Sequence, residues 1–359
     1  MTQIAQRART VDRDEARVDA RLRAVTRELQ TRGVGHHHAF GDMVDHLADL
    51  VLGGKRLRSL LVMSAWRTMS DSDLNLGPAL DVACAFELLH NALLAHDDVI
   101  DNDDRRRGQP NVAGRATADV VDRGATAGGA VGFGVASGII AGDLLLSSAH
   151  RLVSSCDAPG DVRLELVQVI DDAVVAAAAG EHADAWFGLG LEESDWSRVL
   201  RTIELKTARY SFQAPLRAAS ILAGADQDVR AALDEIGRRL GVVYQLRDDV
   251  LGVFGRPDVT GKSAQGDLRE GKQTLLVAFA RTTPDWARVS HLFGSPALTD
   301  AGAEQLRTVI RDCGALERVE RTIDAESDAV RAIVAGAGFV HELDELLLDV
   351  LDRSAERAA

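Results

Sequence analysis

Glu87-Leu88-Leu89-His90-Asn91-Ala92-Leu93-Leu94-Ala95-His96-Asp97-Asp98-Val99-Ile100-Asp101 carries an apolar helical run straight into a group of carboxylates. Its first nine residues are apolar around most of a helix, the pattern of a buried helix rather than a surface one. Asp97 and Asp101 stand four apart and share a helix face. With Asp98, and with Asp103 and Asp104 just beyond, they crowd negative charge at the mouth of that helix. Like charges at this spacing cost an isolated helix about 0.2–0.5 kcal/mol a pair, and aspartate is a poor helix former. A solvated helix end would tolerate them. A buried helix opening onto them calls for compensation, which a hard divalent cation with oxygen ligands provides.

A second cluster repeats the arrangement downstream. Tyr244-Gln245-Leu246-Arg247-Asp248-Asp249 again follows an apolar helical stretch, Leu240 to Val243. Two separated acidic pairs, each at the end of a buried helix, suggest opposed metal-binding faces across one cavity. Basic residues are interleaved with them. Gly53-Gly54-Lys55-Arg56-Leu57-Arg58 precedes the first cluster and Arg105-Arg106-Arg107-Gly108 follows it. Lys206-Thr207 interrupts another helix, and Gly261-Lys262-Ser263 and Gly271-Lys272 follow the second cluster. Arginine suits bidentate phosphate contacts and lysine supplies a compact charge. The pattern predicts a site where metal bridges protein acids to a diphosphate while cations hold its other oxygens.

The rest of the chain sets the frame. With 359 residues, 46% hydrophobic content and only 7 prolines, it has material for a large helical core. A net charge of −14 excludes a general nucleic-acid binder, which needs a basic face. Cys84, Cys156 and Cys313 are odd in number and widely spaced, which predicts a reducing, cytoplasmic setting without a structural zinc site. No signal-peptide pattern and no membrane-length apolar run is read. Val11, Val18, Leu22, Val25 and Leu29 predict one amphipathic helix in an N-terminal arm over residues 1–39, ended by Gly33 and Gly35, with His36, His37 and His38 in the loop after it. From residue 40 to 359 helical patterns alternate with short Gly or Pro breaks, predicting one all-α domain, a large helical bundle around a central cavity. The Gly- and Ala-rich stretch Gly124 to Gly142 lacks the ending of a phosphate-binding P-loop and reads as close helix packing.

In this order of motifs the sequence resembles the trans-isoprenyl diphosphate synthases, the polyprenyl synthetase family, from about Gly53 to Lys272. The first aspartate-rich motif stands as Asp97-Asp98-Val99-Ile100-Asp101 with Arg106-Arg107-Gly108-Gln109-Pro110. The segment Gly53 to Arg58 matches a further motif, with Ser59 where the family has proline. The second aspartate-rich region runs from Gln245 to Asp249, then on through Ser263 and Lys272. The resemblance implies that Asp97, Asp101 and Asp248, supported by Asp98 and Asp249, hold three magnesium ions per site on an allylic diphosphate. It implies that Arg106, Lys206 and Lys262 hold the same diphosphate, and that Lys55, Arg58, His90 and Arg107 hold isopentenyl diphosphate. Thr207 and Gln245 would line the region where the allylic cation forms, with Lys272 near a closing loop. A homodimer is implied as well.

Three departures from the family pattern stand out. Gly252 replaces the third aspartate of the second motif, for which lowered metal affinity is the expected cost. Glu181, within Gly180-Glu181-His182-Ala183-Asp184, stands where the family often has glutamine and is read as facing water. Ser59 is expected to alter local backbone stiffness. For product length, Leu93 and Phe86 fall near the Asp97 face, Phe86 about 16 Å below it at 1.5 Å per residue. Small Ala92, at the fifth position before the motif, points beyond the farnesyl length to geranylgeranyl. Two rivals share features with this reading. A class I terpene cyclase would need a different second metal motif, which Asp248 to Gly252 does not fit. A non-catalytic regulatory subunit would be expected to lack the first motif, which is intact.

Overall fold

A computed structural model describes residues 2–70, 76–106, 108–190, 195–255 and 265–356, with side chains from residue 10 onward. Helical spacing in the sequence becomes helix along nearly all of it: α1 (Thr2–Gly33), α2 (His38–Leu52), α3 (Leu57–Met69), α4 (Leu76–Ile100), α5 (Val112–Asp122), α6 (Ala127–Ser155), α7 (Gly160–Gly188), α8 (Trp196–Ile203), α9 (Ala214–Leu222) and α10 (Gln227–Phe254). Among the described residues the remainder holds the π-helical segment Glu204–Gln213, further helices and short 3₁₀ turns, ending with the helices Ala315–Ala337 and His341–Ala355. The strands found among the described residues are β1 (Arg105–Arg106) and β2 (Gln109–Pro110), an antiparallel pair with Arg106 opposite Gln109.

The chain folds as two compact units. One comprises Met1–Asp172 and Ala214–Asp226, the other Ala173–Gln213 and Gln227–Ala359. In the first, α4 is central, packed by α3, α5, α6 and α9, and α1 lies on α2, α3 and α4. Val18, Leu22 and Val25 of α1 are fully buried, so the amphipathic stripe read from the arm is a packing face. Of the three consecutive histidines, His37 caps α2 by accepting from the Ala39 N–H, and His38 is the first helical residue. The loop is shorter than the sequence pattern suggests.

Phe86, Leu88 and Leu89 of α4 have no exposure. Each such side chain contributes about 1.5–3 kcal/mol on burial, several times the repulsion between neighbouring aspartates. Burial therefore wins, and the helix persists to Ile100 with its carboxylates attached. The stretch read as close packing is the start of α6. A β-carbon on Gly134 would lie 2.6 Å from the Ala113 carbonyl oxygen, and one on Gly138 2.5 Å from Val99 Cγ2. Glycine at these positions lets α6 lie against α4 and α5 almost backbone to backbone.

By length and apolarity α4 and α6 would each suffice to cross a membrane, which corrects the expectation that no apolar run reaches that length. For α4 the reason is core burial, at 72% of the apolar window. For α6 the figure is 39%, and Val131, Phe133, Val135, Ile139 and Ile140 remain exposed.

In the second unit, α10 packs on the segment Glu204–Gln213 and on the helices Ala315–Ala337 and His341–Ala355. Arg247 fixes one of these contacts by donating to both carboxylate oxygens of Glu320, at 2.8 and 2.7 Å. Glu204–Gln213 is π-helical, a wider winding that is rare and concentrates at functional sites.

Candidate active site

Lys55, Arg58, His90, Asp97, Asp98, Asp101 and Arg106 all belong to the first unit. Asp97 and Asp98 lie in the last turn of α4, and the Asp101 N–H still donates to the Asp97 carbonyl at 2.9 Å, so the shared face inferred from spacing is present. Asn102 then takes a left-handed conformation (φ 57°) and turns the chain into the β1–β2 hairpin. This turn brings Arg106 back over the acids. Its Nε donates to Asp98 Oδ1 at 2.7 Å and its Nη2 to Asp97 Oδ2 at 3.0 Å. Burial pushes the Asp98 carboxyl above its ordinary range, against the pull of Arg106. The spacing of the residues did not show that a candidate phosphate-binding arginine would lie across two candidate metal ligands. Arg107 lies outside the described residues.

Upstream, Lys55 is exposed while Arg58 is buried. Arg56 points inward instead: its Nη1 donates to the carbonyls of Val51 (2.9 Å) and Gly53 (2.7 Å) and its Nε to Asp19 (2.8 Å). Ser59 is part of the same framework. Its backbone N–H and its hydroxyl both donate to Oε1 of the buried Glu87, each at 3.0 Å. Proline supplies neither donor. The serine thus serves a buried carboxylate, a role the stiffness argument did not anticipate. His90, one turn along α4 from Glu87, is half-buried. Ala92 and Phe86 are buried and Leu93 is partly exposed.

The second unit gathers Lys206, Thr207, Gln245, Asp248, Asp249 and Lys272. Glycines let the π-helical segment sit tightly between two helices. A β-carbon on Gly180 of α7 would collide with the Lys206 backbone nitrogen and lie 2.7 Å from Lys206 Cα. One on Gly237 of α10 would lie 2.5 Å from Gln213 Cα. The result is a hydrogen-bond chain: Thr207 Oγ1 donates to Gln245 Oε1 (3.0 Å), and Gln245 Nε2 donates to Asp249 Oδ1 (2.8 Å). Asp249 is buried, and burial, opposed by Lys272, pushes its carboxyl up to about 7.

Lys206 Nζ donates to Glu181 (3.0 Å to Oε2) and to Asp184 Oδ2 (2.7 Å). Glu181 therefore does not face water as read, because the tight crossing at Gly180 sets α7 against the lysine. Asp184 was missed. Its position three residues after Glu181, on the same helix face, was the available signal. Lys262 lies outside the described residues.

Among the described residues no three acidic, histidine or cysteine side chains converge into a ready metal cage. Such a cage is not what magnesium needs, since it is held by one or two carboxylates with substrate phosphates and waters completing six oxygens. The oxygen-only donors Asp97 and Asp101 in the first unit, and Asp248 in the second, are each of the kind that requirement calls for.

The polyprenyl synthetase family model matches residues 38–308. The chain belongs to this family. As a polyprenyl synthetase it is 31% identical over 312 residues to the geranylfarnesyl diphosphate synthase of Aeropyrum pernix, covering 85% of this chain and 91% of that protein. It is 32% identical to the geranylgeranyl diphosphate synthase of Methanosarcina mazei, over 75% of each. Its fold matches a crystal structure of the geranylgeranyl pyrophosphate synthase from Corynebacterium glutamicum, complexed with isoprenyl diphosphate and magnesium. That match has a TM-score of 0.88, 29% identity, and covers 95% of this chain and 98% of that one. The all-α isoprenoid-synthase fold of this polyprenyl synthetase follows from the same comparison.

Proposed function

We propose that this polyprenyl synthetase condenses an allylic diphosphate with isopentenyl diphosphate, using magnesium, to give geranylgeranyl diphosphate and pyrophosphate. The observation that carries the reading is the end of α4, where Asp97 and Asp98 emerge from a buried helix with Arg106 across both. Carboxylates for a cation and a guanidinium for phosphate oxygens stand side by side there, inside the span of the family match.

The reaction breaks the allylic C–O bond, and the bond electrons leave with the pyrophosphate. The isopentenyl double bond attacks the resulting cation, a new C–C bond forms, and a proton departs to the pyrophosphate. Bound magnesium would supply neutralisation of the leaving charge, usually a large catalytic contribution. Asp97, Asp101 and Asp248 would hold it, three ions per site, supported by Asp98 and Asp249. Arg106, Lys206 and Lys262 would hold the allylic diphosphate, and Lys55, Arg58, His90 and Arg107 the isopentenyl diphosphate, with Lys272 near the closing loop. The Thr207 hydroxyl and Gln245 carboxamide present oxygen lone pairs that favour a nearby cation, and Asp249 fixes the orientation of the amide. No side-chain nucleophile is needed.

Small Ala92 supports the geranylgeranyl length, although the two relatives carry names that differ by one isoprene unit. The three cysteines are free, which fits a reducing cytoplasm. We assign the exposed apolar side chains of α6 to a second copy of this chain, as a homodimer. The direct test incubates the protein with magnesium, labelled isopentenyl diphosphate and each of dimethylallyl, geranyl and farnesyl diphosphate, then sizes the extracted chains. Twenty-carbon product is the expected result. Folded protein that elongates no primer would favour a non-catalytic subunit.

A further inference from the structure

Glu181 follows Gly180, where α7 comes so close to the π-helical segment that a β-carbon would collide with the Lys206 backbone nitrogen. The two side chains therefore meet at the tightest point of the crossing. Lys206 Nζ stands 3.1 and 3.0 Å from the two carboxylate oxygens of Glu181 and 2.7 Å from Oδ2 of Asp184. One ammonium thus faces two carboxylates, and the three groups together carry one net negative charge. Asp184 alone is enough to neutralise the lysine. A glutamine at position 181 would offer it the same kind of acceptor oxygen without a second charge. The side chains of Lys206, Glu181 and Asp184 retain 24, 19 and 22% exposure. A ligand can therefore reach the ammonium, and ion pairs this exposed are weak enough to exchange.

Resting on the function proposed above, we propose that Glu181 is a positioning residue that competes with the allylic diphosphate for Lys206 and so lowers the affinity of the site for diphosphate. In the structure Glu181 and Asp184 hold the ammonium against α7. A bound diphosphate takes Lys206 from Glu181, and its own negative charge then faces the released carboxylate. As pyrophosphate leaves, Glu181 takes the lysine back. The carboxylate thereby loosens the hold on a product that carries the same group as the substrate, and slow product release limits turnover in many enzymes. The second charge on Glu181, which an amide would lack, is what this role requires.

Removing the charge tests this. Binding of inorganic pyrophosphate to the full chain is measured calorimetrically in magnesium for wild type, Glu181→Gln and Glu181→Ala, with thermal melts to confirm folding. Both variants are expected to bind about ten-fold more tightly, the effect of removing one charged competitor for a hydrogen bond. In steady-state kinetics Glu181→Gln is expected to lower the KM for the allylic primer and to leave that for isopentenyl diphosphate unchanged, a split that a purely structural role would not produce. Folded variants that bind pyrophosphate no better than wild type would overturn the inference, and weaker binding would make Glu181 a metal ligand instead. An equal change in both KM values would overturn it as well. A wild type that binds no pyrophosphate would instead overturn the function on which the inference rests.

Discussion

Ser59 departs from the family motif for a reason visible only in three dimensions. Glu87 is buried 28 positions away, and Ser59 gives it two of its hydrogen bonds. No spacing rule links these residues, so their pairing was illegible in the sequence, whereas the Asp97–Asp101 face was legible because both lie on one helix. Leaving a buried carboxylate short of donors costs about 1–3 kcal/mol or more. We expect Ser59→Pro to lose about 2 kcal/mol in urea unfolding and Ser59→Ala roughly half of that. An unchanged midpoint for Ser59→Pro would mean that Glu87 does not depend on these donors. Asp249 yields a prediction of opposite character. Its carboxyl is raised from 3.8 to about 7 by burial, so the folded state prefers it protonated. The sign follows: in metal-free protein this group costs nothing below about pH 4, and stability falls as pH rises toward about 7. The slope is at most about 1.4 kcal/mol per pH unit. In EDTA, Asp249→Asn should therefore gain stability over wild type between pH 4 and 7 and hold that gain above it. A difference that does not change with pH would contradict the assignment.

Among the elements, α4 and α10 were readable because a buried helix seldom ends in paired aspartates unless a cation or a basic partner meets them there. The π-helical turn at Glu204–Gln213 was not. Its wider winding leaves no periodic signature in ten residues, and glycines of α7 and α10 lie tightly against it. Gly180 is one of these, with backbone rather than a flexible side chain opposite it. Gly180→Ala should destabilise the protein by about 1–3 kcal/mol. It should also lower turnover by more than the loss of folded protein, because Lys206 moves with its own backbone. Turnover that simply follows the folded fraction would leave the crossing with a structural role alone. The outer side of α6 makes a different prediction. Val131, Val135 and Ile139 recur every four residues and are exposed, an arrangement that a second copy would cover. Light scattering should give a dimer mass for wild type and a monomer mass for Ile139→Glu. A wild-type monomer at micromolar concentration would remove the homodimer.

Across the whole molecule, a chain with a charge of −14 handles diphosphates by local means. Its cations are set directly against its acids: Arg106 on Asp97 and Asp98, Lys206 on Glu181 and Asp184, Lys272 near Asp267. The order of these groups along the chain was legible, as was the all-α class. Their pairing was not, because each ion pair joins residues whose separation depends on how a hairpin, a helix crossing or a turn closes. The division into two compact units was equally invisible, since the changeover near Asp172 lies inside the continuous helix α7 and no linker marks it. The central claim is that Asp97 and magnesium together enable an allylic diphosphate to be elongated. It is tested most directly by pyrophosphate release from an allylic primer plus isopentenyl diphosphate, measured for wild type and Asp97→Ala, with magnesium and with EDTA. The account predicts release that requires both substrates, stops in EDTA and falls by at least about a hundred-fold in Asp97→Ala. Release that persists in EDTA, or that Asp97→Ala sustains at the wild-type rate, would contradict it.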